Sequence, residues 1–323
     1  MSNVQTIDRP VPAAVDKKPT PRLSIVIVSW NTLSFLDPCL DSIYSVGLRI
    51  PFEILVVDNG STDGTQERLR TRWPEVRLIQ NVDNVGFAAG TNQGVAASQG
   101  DYALLLNPDT LVNAACLRSL VEFLDQTPSA AAAGGKLLNA DGTFQASYSD
   151  FSTLWQEMMI ASGLGAWIWR GYPSHHQPSK TIKAGWITGA CLLVRRELYL
   201  QFGGLDEDYI MYSEEVDLQY RLNQNGWDIY YLPHVTTLHH GGGSQGRVRR
   251  RRMVYRGKLM FYCKNYGFLR QTGLRLLFAG AALAKLGIWS LGWLFRSLRN
   301  RAKAEIHSNL EVLELCWKTG RTA

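Results

Sequence analysis

Five side chains in this sequence are placed to do chemistry: Asp58, Asp109, Glu214, Glu215 and His239. Asp58 closes an apolar run, EILVVD (53–58), and opens the loop Asn59-Gly60-Ser61-Thr62-Asp63-Gly64. In open α/β sheets, ligands bind beyond the carboxyl ends of the strands. A carboxylate there accepts from a nucleobase N–H or a ribose hydroxyl. The plainer alternative is a turn in which Asp58 and Asn59 cap the next helix. Ser29-Trp30-Asn31 ends an earlier apolar run in the same way. Asp109, in Leu106-Asn107-Pro108-Asp109-Thr110, follows a third run. An isolated carboxylate at such a place suits a hard divalent cation whose coordination a substrate phosphate completes; the alternative is an Asx-Pro turn. A second ligand would come from His239 in His239-His240-Gly241-Gly242-Gly243-Ser244, where glycines let the backbone approach a ligand closely. Otherwise it is a surface histidine. The stretch DEDYIMYSEEVD (206–217) offers a general base, raised in pKa by its acidic neighbours and flanked by Tyr209 and Tyr212. Its alternative is a solvated helix start, with Ser213 as cap, Glu214 and Glu215 in the first turn, and an i,i+4 pair Asp217–Arg221.

These groups need a scaffold. LSIVIVSW (23–30), EILVVD (53–58) and YALLLN (102–107) are near-continuous apolar, β-branched runs, as in a parallel sheet buried on both faces. Helix-like stretches at 33–46, 64–72 and 90–99 lie between them, giving a βαβ alternation. GACLLVRRE (189–197) and WDIYYLP (227–233) read as further strands, and a helix after residue 213 stops at Asn225-Gly226. Residues 248–303 read as mostly helical. The first 22 residues hold four prolines and no 7–15-residue apolar run, so a flexible tail and no signal peptide are expected there. The five cysteines are scattered without a CxxC, which disfavours a disulfide scaffold or zinc ribbon and points to a reducing compartment. An apolar fraction of 46 % excludes wholesale disorder. No GxGxxG follows the first strand, which argues against a dinucleotide-binding dehydrogenase. A nucleotidyltransferase would want a glycine-rich, basic loop where Ser29-Trp30-Asn31-Thr32 stands, and a two-carboxylate glycosidase leaves Asp58 without a role.

The set SIVIVSWN (24–31), VDNGSTDG (57–64), NVGFAAGTNQG (84–94), LLLNPDT (104–110), GACLLVRRE (189–197), GGLDEDYIMYSEEVDLQYR (203–221), NGW (225–227) and HHGGGS (239–244) resembles the inverting GT-A family 2 nucleotide-sugar glycosyltransferases, in particular their bacterial rhamnosyltransferase-like branch. The resemblance spans about residues 23–260. It implies a GT-A α/β fold, with a Rossmann-like, mainly parallel central sheet flanked by helices, and a C-terminal helical appendage. It implies a catalytic domain over 23–246, with a nucleotide-sugar half at about 23–110 and an acceptor half at about 111–246. By the same resemblance, Ser29, Trp30 and Asn31 lie against the nucleobase, and Asp58 and Asn59 bind it. Asn84, Gly86, Phe87 and Asn92 wrap the donor. Asn107 and Asp109 stand where the family has its DxD-type motif. Mg²⁺ or Mn²⁺ would sit on Asp109 and His239, with His240 as the alternative histidine. Glu215 matches the catalytic base, where most relatives have Asp preceded by Glu, and Glu214 is the second candidate. The reaction implied is transfer with inversion, best assigned to L-rhamnose from dTDP-L-rhamnose, onto a glycan or polyprenyl-diphosphate-linked acceptor in cell-envelope glycan synthesis. The same reaction with a UDP-hexose or UDP-galactofuranose is the alternative donor reading.

Charge is distributed unevenly. Residues 1–246 carry a net −8, whereas 247–303 hold 15 Lys and Arg and no acid. The segment 247–323 is therefore expected to associate with an anionic membrane surface, to which each basic residue contributes about 1 kcal/mol. No nucleic acid is expected, because no recognised nucleic-acid motif accompanies the basic cluster. Within 276–295, Lys285 would cost about 2.5–3.5 kcal/mol at a bilayer centre, so a helix lying on the membrane is expected over one that spans it, with a buried helical hairpin over 255–295 as the alternative. On one continuous helix, Lys285, Arg296, Arg299 and Lys303 would share a polar face. The location implied is cytoplasmic, peripheral on the inner face of the plasma membrane. The tryptophan-rich stretch 150–186 would then help form the acceptor side, or pack as core. The rival reading is a non-catalytic module that uses the basic segment to sit on membrane or nucleic acid.

Overall fold

The computed structural model describes residues 20–45, 47–168, 177–209, 211–241 and 247–317. The expected tail through residue 19, Trp169, Ile210, Gly242, Gly243 and Ser244 lie outside the described residues, as do the side chains of 247–250. The N-terminal half alternates β1 (Leu23–Ser29), α1 (Leu33–Ser45), β2 (Phe52–Asn59), α2 (Thr65–Arg72), β3 (Arg77–Asn81), α3 (Phe87–Ala97) and β4 (Tyr102–Leu106). There follow β5 (Thr110–Leu111), α4 (Ala114–Gln126), β6 (Ala130–Leu138), β7 (Phe144–Gln145), β8 (Tyr148–Ser149), α5 (Leu154–Ser162) and α6 (Gly165–Ile168). Then come β9 (Ile182–Ala184), β10 (Trp186–Ile187), β11 (Cys191–Arg195), α7 (Arg196–Gln201), α8 (Glu214–Gln224) and β12 (Asp228–His239). Three helices close the chain: α9 (Arg247–Asn265), α10 (Gly267–Gly292) and α11 (Arg299–Trp317).

The main sheet runs β3-β2-β1-β4-β11-β6-β12-β5, with β7 on β6 and β9 on β12. β1 to β4 are mutually parallel, as the unbroken apolar runs require. β11 is antiparallel to both β4 and β6, while β6 and β12 are parallel. One apolar layer packs α1 and α4 on the sheet, with Leu36, Leu40, Leu117 and Leu120 against Ile25 and Leu104. The other layer packs α3, α7 and α8, with Val95, Leu198, Leu218 and Leu222 against Val26 and Leu105. Each buried Leu or Ile contributes about 1.5–3 kcal/mol, against about 0–1 for exposed ion pairs such as Arg68–Asp37. The layers, not the surface charges, therefore fix the helices on the sheet. Helix α3 lies unusually close: a Cβ at Gly94 would stand 2.4 Å from Val26 Cγ1.

The structure departs from the sequence reading in several places. β3, α4 and β6 fall in stretches not assigned from the sequence. β6 is AAAAGGKLL, which lacks β-branched residues because Ile187, Cys191 O and Val235 O crowd Gly134 and Gly135. Helix α3 begins at Phe87, not residue 90, and β12 runs on to His239. The expected continuous helix through Lys303 breaks at 293–298, where successive i→i−3 bonds turn the chain and α11 packs back on α10. Lys285 therefore shares no polar face with Lys303; it is half-buried near Arg251 and Glu305. The helices α9–α11 share an apolar cluster with Tyr209, Val216, Tyr220 and Phe151 of the α/β part. Inside that contact, Lys258 Nζ donates to both oxygens of Glu157 at 2.7 Å, and Glu157 is 1 % exposed. Removing the cation strands a buried carboxylate. Lys258→Met is expected to lower unfolding stability by about 3–5 kcal/mol in urea titrations. The pair Lys258→Met/Glu157→Leu is expected to recover most of that loss.

Candidate active site

The carboxyl ends of β1, β2, β4 and β12 and the start of β11 meet at one edge of the sheet. Register explains the meeting. Ser29 pairs with Asp58, Leu106 with Cys191, and His239 with Thr110. Asn107 N–H then donates to Ala190 O at 3.0 Å.

At the β2 end, Asp58 is fully buried. Its Oδ2 accepts from Ser61 N–H at 3.1 Å and from Gln66 Nε2 at 2.7 Å; its Oδ1 has no protein partner. A buried acceptor without a partner costs about 1–3 kcal/mol, so this oxygen is a place for a ligand donor. Asn31, at φ 52°, braces the loop around it: its Oδ1 accepts from Thr62 N–H at 2.8 Å, and its own N–H donates to Ser61 Oγ. Ser29 Oγ lies 2.9 Å from Thr32 Oγ1, and Trp30 stands 41 % exposed beside the loop. Asn59 Nδ2 donates to Asn84 Oδ1 and Gly86 O, and Asn84 Oδ1 accepts from Gly86 N–H. Asn59 and Asn84 thus fix the backbone on which α3 starts. Asn92 sits deeper. Its amide is engaged by Leu205, Glu207 and Tyr199, so it ties α3 to the 203–207 loop.

At the β4 end, Asp109 Oδ1 and Asn107 Nδ2 both lie 3.3 Å from His239 Nε2. Asp109 Oδ2 accepts from Gly241 N–H at 3.1 Å. Burial pushes the Asp109 carboxyl up, but the backbone amides of Asp109 and Gly241, together with His239 when its ring is protonated, outweigh it and hold it below its ordinary value. His239 closes a strand instead of lying in a loop. His240 is exposed, with its ring 5.6 Å from Phe35, so the sheet selects His239. Among the described residues, no group of three or more His, Cys, Asp and Glu side chains forms a ready metal cage.

The third corner is the start of α8. Glu215 and Phe87 flank Gly189, where a Cβ would lie 3.7 Å from Glu215 Cβ and 3.8 Å from the Phe87 ring. Glu214 is buried and Glu215 half-buried, and each has a buried Oε2 without a partner. Burial raises Glu215, while backbone amides including those of Glu215 and Gly189 oppose the rise. Burial, then the Glu215 charge, raises Glu214 well above the usual carboxylate range. Both are therefore shifted towards the acid form, Glu214 further than Glu215. Gln219, one turn on, holds this end rigidly: its amide pairs with both Ile187 N–H and Ile187 O. Asp217 is structural, as its i,i+4 spacing to Arg221 suggested. It accepts from Arg221 Nε at 2.8 Å and from Asn265 Nδ2 of α9 at 2.7 Å. Ser213 occupies the N-cap but makes no capping bond, because Tyr212 and Ser213 both have left-handed backbone, φ 70° and 78°.

The profile of the family described as Glycosyl transferase family 2 matches residues 24–203. The chain belongs to that family. It is 32 % identical over 246 residues, 70 % of its own length and 78 % of the relative's, to an N-acetylglucosaminyl-diphospho-decaprenol L-rhamnosyltransferase of Mycobacterium tuberculosis. Its fold resembles that of a Pyrobaculum calidifontis mannosyltransferase solved with GDP-Man and Mn²⁺, with TM-score 0.56, 17 % identity, and coverage of 96 % of this chain and 91 % of the other. It also resembles GalNAc-T7 solved with UDP, GalNAc and Mn²⁺, with TM-score 0.54, 15 % identity, and coverage of 76 % and 48 %. This glycosyltransferase therefore has the GT-A architecture, with three C-terminal helices.

Sequence reasoning missed Gln145, Gln219 and Gly257. Gln219 was accessible as the i+4 neighbour of Glu215; the other two carry no local signal. Gly257 of α9 lies where a Cβ would stand 2.4 Å from Tyr212 O and 2.9 Å from Ser213 Oγ. Two consecutive left-handed non-glycine residues cost about 1–3 kcal/mol each, and close packing of α9 helps hold them. Gly257→Ala is expected to displace the turn before Glu214, lowering kcat at least tenfold with nucleoside diphosphate affinity unchanged. Steady-state kinetics and a binding titration check this; an unaltered kcat refutes it.

Proposed function

We propose that this glycosyltransferase moves L-rhamnose from dTDP-L-rhamnose, with inversion, onto a polyprenyl-diphosphate-linked or polysaccharide acceptor of the cell envelope. The carrying observation is the arrangement of three groups around one sheet edge: the unpartnered Asp58 Oδ1, the Asp109–His239 pair, and the half-buried Glu215 beside Gly189 and Phe87. The activity of the mycobacterial relative supports the choice of sugar and of a lipid-linked acceptor.

Asp58 Oδ1 accepts the base N–H, with Trp30 beside it and Asn31 holding the loop. Asn59 and Asn84 set the backbone of Gly86, so that Phe87 borders the sugar. Asp109 Oδ1 and His239 Nε2 form a hard oxygen and imidazole pair that fits Mg²⁺ or Mn²⁺, with Asn107 adjacent and the diphosphate completing the shell. When bound, the ion neutralises charge developing on the departing diphosphate. Glu215 takes the proton of the acceptor hydroxyl. The acceptor oxygen forms its bond to the anomeric carbon as the bond to the diphosphate breaks, and that electron pair leaves with the nucleotide. Glu214, shifted towards its acid form by burial and by the Glu215 charge, limits the negative charge beside the base.

The helices α9–α11 support a seat on the membrane surface. Among the described residues, α10 is the one helix long and apolar enough to cross a bilayer. Yet α11 packs along it, and Arg251–Glu305 and Arg252–Glu311 ion pairs join α9 to α11. Spanning would carry those charges into lipid. Leu269, Leu276, Leu283 and Leu291 of α10 are exposed, as are Trp293 and Phe295; Arg296, Arg299, Arg301 and Lys303 follow on the surface. Apolar side chains beside basic ones suit an anionic lipid surface on the cytoplasmic side. Trp155 of α5 and Trp167 of α6 are exposed as well, and α5 packs on α10, which suits an acceptor delivered from lipid.

Nucleoside diphosphate release from a panel of nucleotide-sugars, with Mn²⁺, Mg²⁺ or EDTA and a polyprenyl-linked acceptor, tests the reading. The expected outcome is metal-dependent release from dTDP-L-rhamnose; release from a UDP-hexose alone would reassign the donor. Glu215→Gln is expected to lower turnover about 10²- to 10⁴-fold with nucleotide affinity near normal. Because burial raises Glu215, acidification should protonate the base at a pH above the ordinary glutamate value of about 4.3, placing the acid limb of the wild-type kcat profile there. Leu276→Asp/Leu283→Asp is expected to abolish co-sedimentation with anionic vesicles while leaving the circular dichroism melt unchanged. Undiminished sedimentation would place the lipid contact elsewhere.

A further inference from the structure

Gln145 lies on the two-residue strand β7, beside the end of β12, and has no role in the proposed chemistry. Its Oε1 is 2.6 Å from His239 Nδ1. The orientation of its amide is set from behind: Gln145 Nε2 donates to Asn139 Oδ1 at 2.8 Å and to His239 O at 3.4 Å. Asn139 is fixed in turn. Its Nδ2 donates to Thr143 Oγ1 at 2.9 Å, Thr143 Oγ1 donates to Asp141 Oδ1 at 2.6 Å, and Asn139 N–H donates to Thr143 O at 2.8 Å. Reversing the Gln145 amide would set its NH₂ against the ring and its oxygen against both Asn139 Oδ1 and His239 O. An oxygen therefore faces Nδ1, and Nδ1 must carry the proton.

We propose that Gln145 is a positioning residue for the metal site: it holds His239 in the Nδ1–H tautomer, so that Nε2 presents a lone pair beside Asp109 Oδ1. This rests on the reading of Asp109 and His239 as metal ligands. With Nδ1 protonated in the neutral ring, Nε2 accepts from Asn107 Nδ2 at 3.3 Å. It then faces Asp109 Oδ1, also an acceptor, at 3.3 Å with no proton between them. Two facing acceptors repel until a cation joins them. The opposite tautomer would place an N–H between them and close the site as an ordinary hydrogen bond. A partner on the second ring nitrogen is the usual means by which a protein orients a ligating histidine, and losing it typically costs 10- to 100-fold in metal affinity.

Two measurements on the full chain test this. The first is a ¹H–¹⁵N long-range correlation spectrum of the wild-type protein without metal, at a pH where the ring is neutral. His239, assigned by comparison with His239→Gln, is expected to show a pyrrole-type Nδ1 and a pyridine-type Nε2. An Nε2–H tautomer overturns the proposal without reference to any variant. The second is a Mn²⁺ titration in the presence of dTDP, followed by electron paramagnetic resonance. Gln145→Leu is expected to weaken Mn²⁺ about 10- to 100-fold. Equal Mn²⁺ affinity in Gln145→Leu and wild type overturns the role of Gln145 while leaving the metal ligands standing. Wild-type protein that binds dTDP but no Mn²⁺ removes the metal reading itself, and this role with it.

Discussion

The antiparallel placement of β11 between β4 and β6 is the constraint on which the rest of the site depends. A wholly parallel sheet would turn every strand's carboxyl end to the ligand side. Here the start of β11 is brought there instead, and the Leu106–Cys191 register sets Ala190 against Asn107. Gly189 then lies at the cleft, with Phe87 on one side and Glu215 on the other. β6, next in the sheet, must accept Ile187 and the Val235 backbone at close range, which its Ala-Gly composition allows. β12 in turn pairs with β6 and delivers His239 opposite Thr110, the residue that directly follows Asn107-Pro108-Asp109. One inverted strand thus gathers groups more than 100 residues apart.

Buried acid is handled differently at each corner. Asp109 is compensated by backbone N–H groups, and by His239 when its ring is protonated, which hold its carboxyl below the ordinary value. Asp58 has donors on one oxygen only. Burial raises both glutamates, but Glu215 receives more backbone N–H groups at the helix start, so Glu214 is raised further. Buried carboxylate oxygens without a partner are costly for stability, a cost that a ligand donor would relieve.

The C-terminal helices are more than a basic attachment. Asn265 reaches Asp217, Lys258 reaches Glu157, Lys264 bonds Asp206 and Asp208, and Gly257 admits the turn before Glu214. Every one of these contacts lands on the acidic segment 206–217 or on α5. The region proposed to meet lipid is therefore mechanically continuous with α8.

The sequence by itself determined the βαβ half and the chemical inventory. Unbroken apolar runs ending in Asp58 and Asn107 required buried strands with polar ends, and the order of motifs carried the family resemblance. The i,i+4 spacing of Asp217 and Arg221 was enough to pair them, because helical neighbours are fixed by local geometry. Only the tertiary structure decided the rest. β6 is strand despite its alanines because long-range crowding outweighs propensity. The tail folds into a hairpin because α11 finds apolar partners on α10. His239 rather than His240 faces Asp109 because β12 extends to residue 239. Gln145 meets His239, and Gly257 meets Tyr212, across 94 and 45 residues. No local period encodes such pairings; they arise where separate elements settle on one sheet and leave a single low-energy fit.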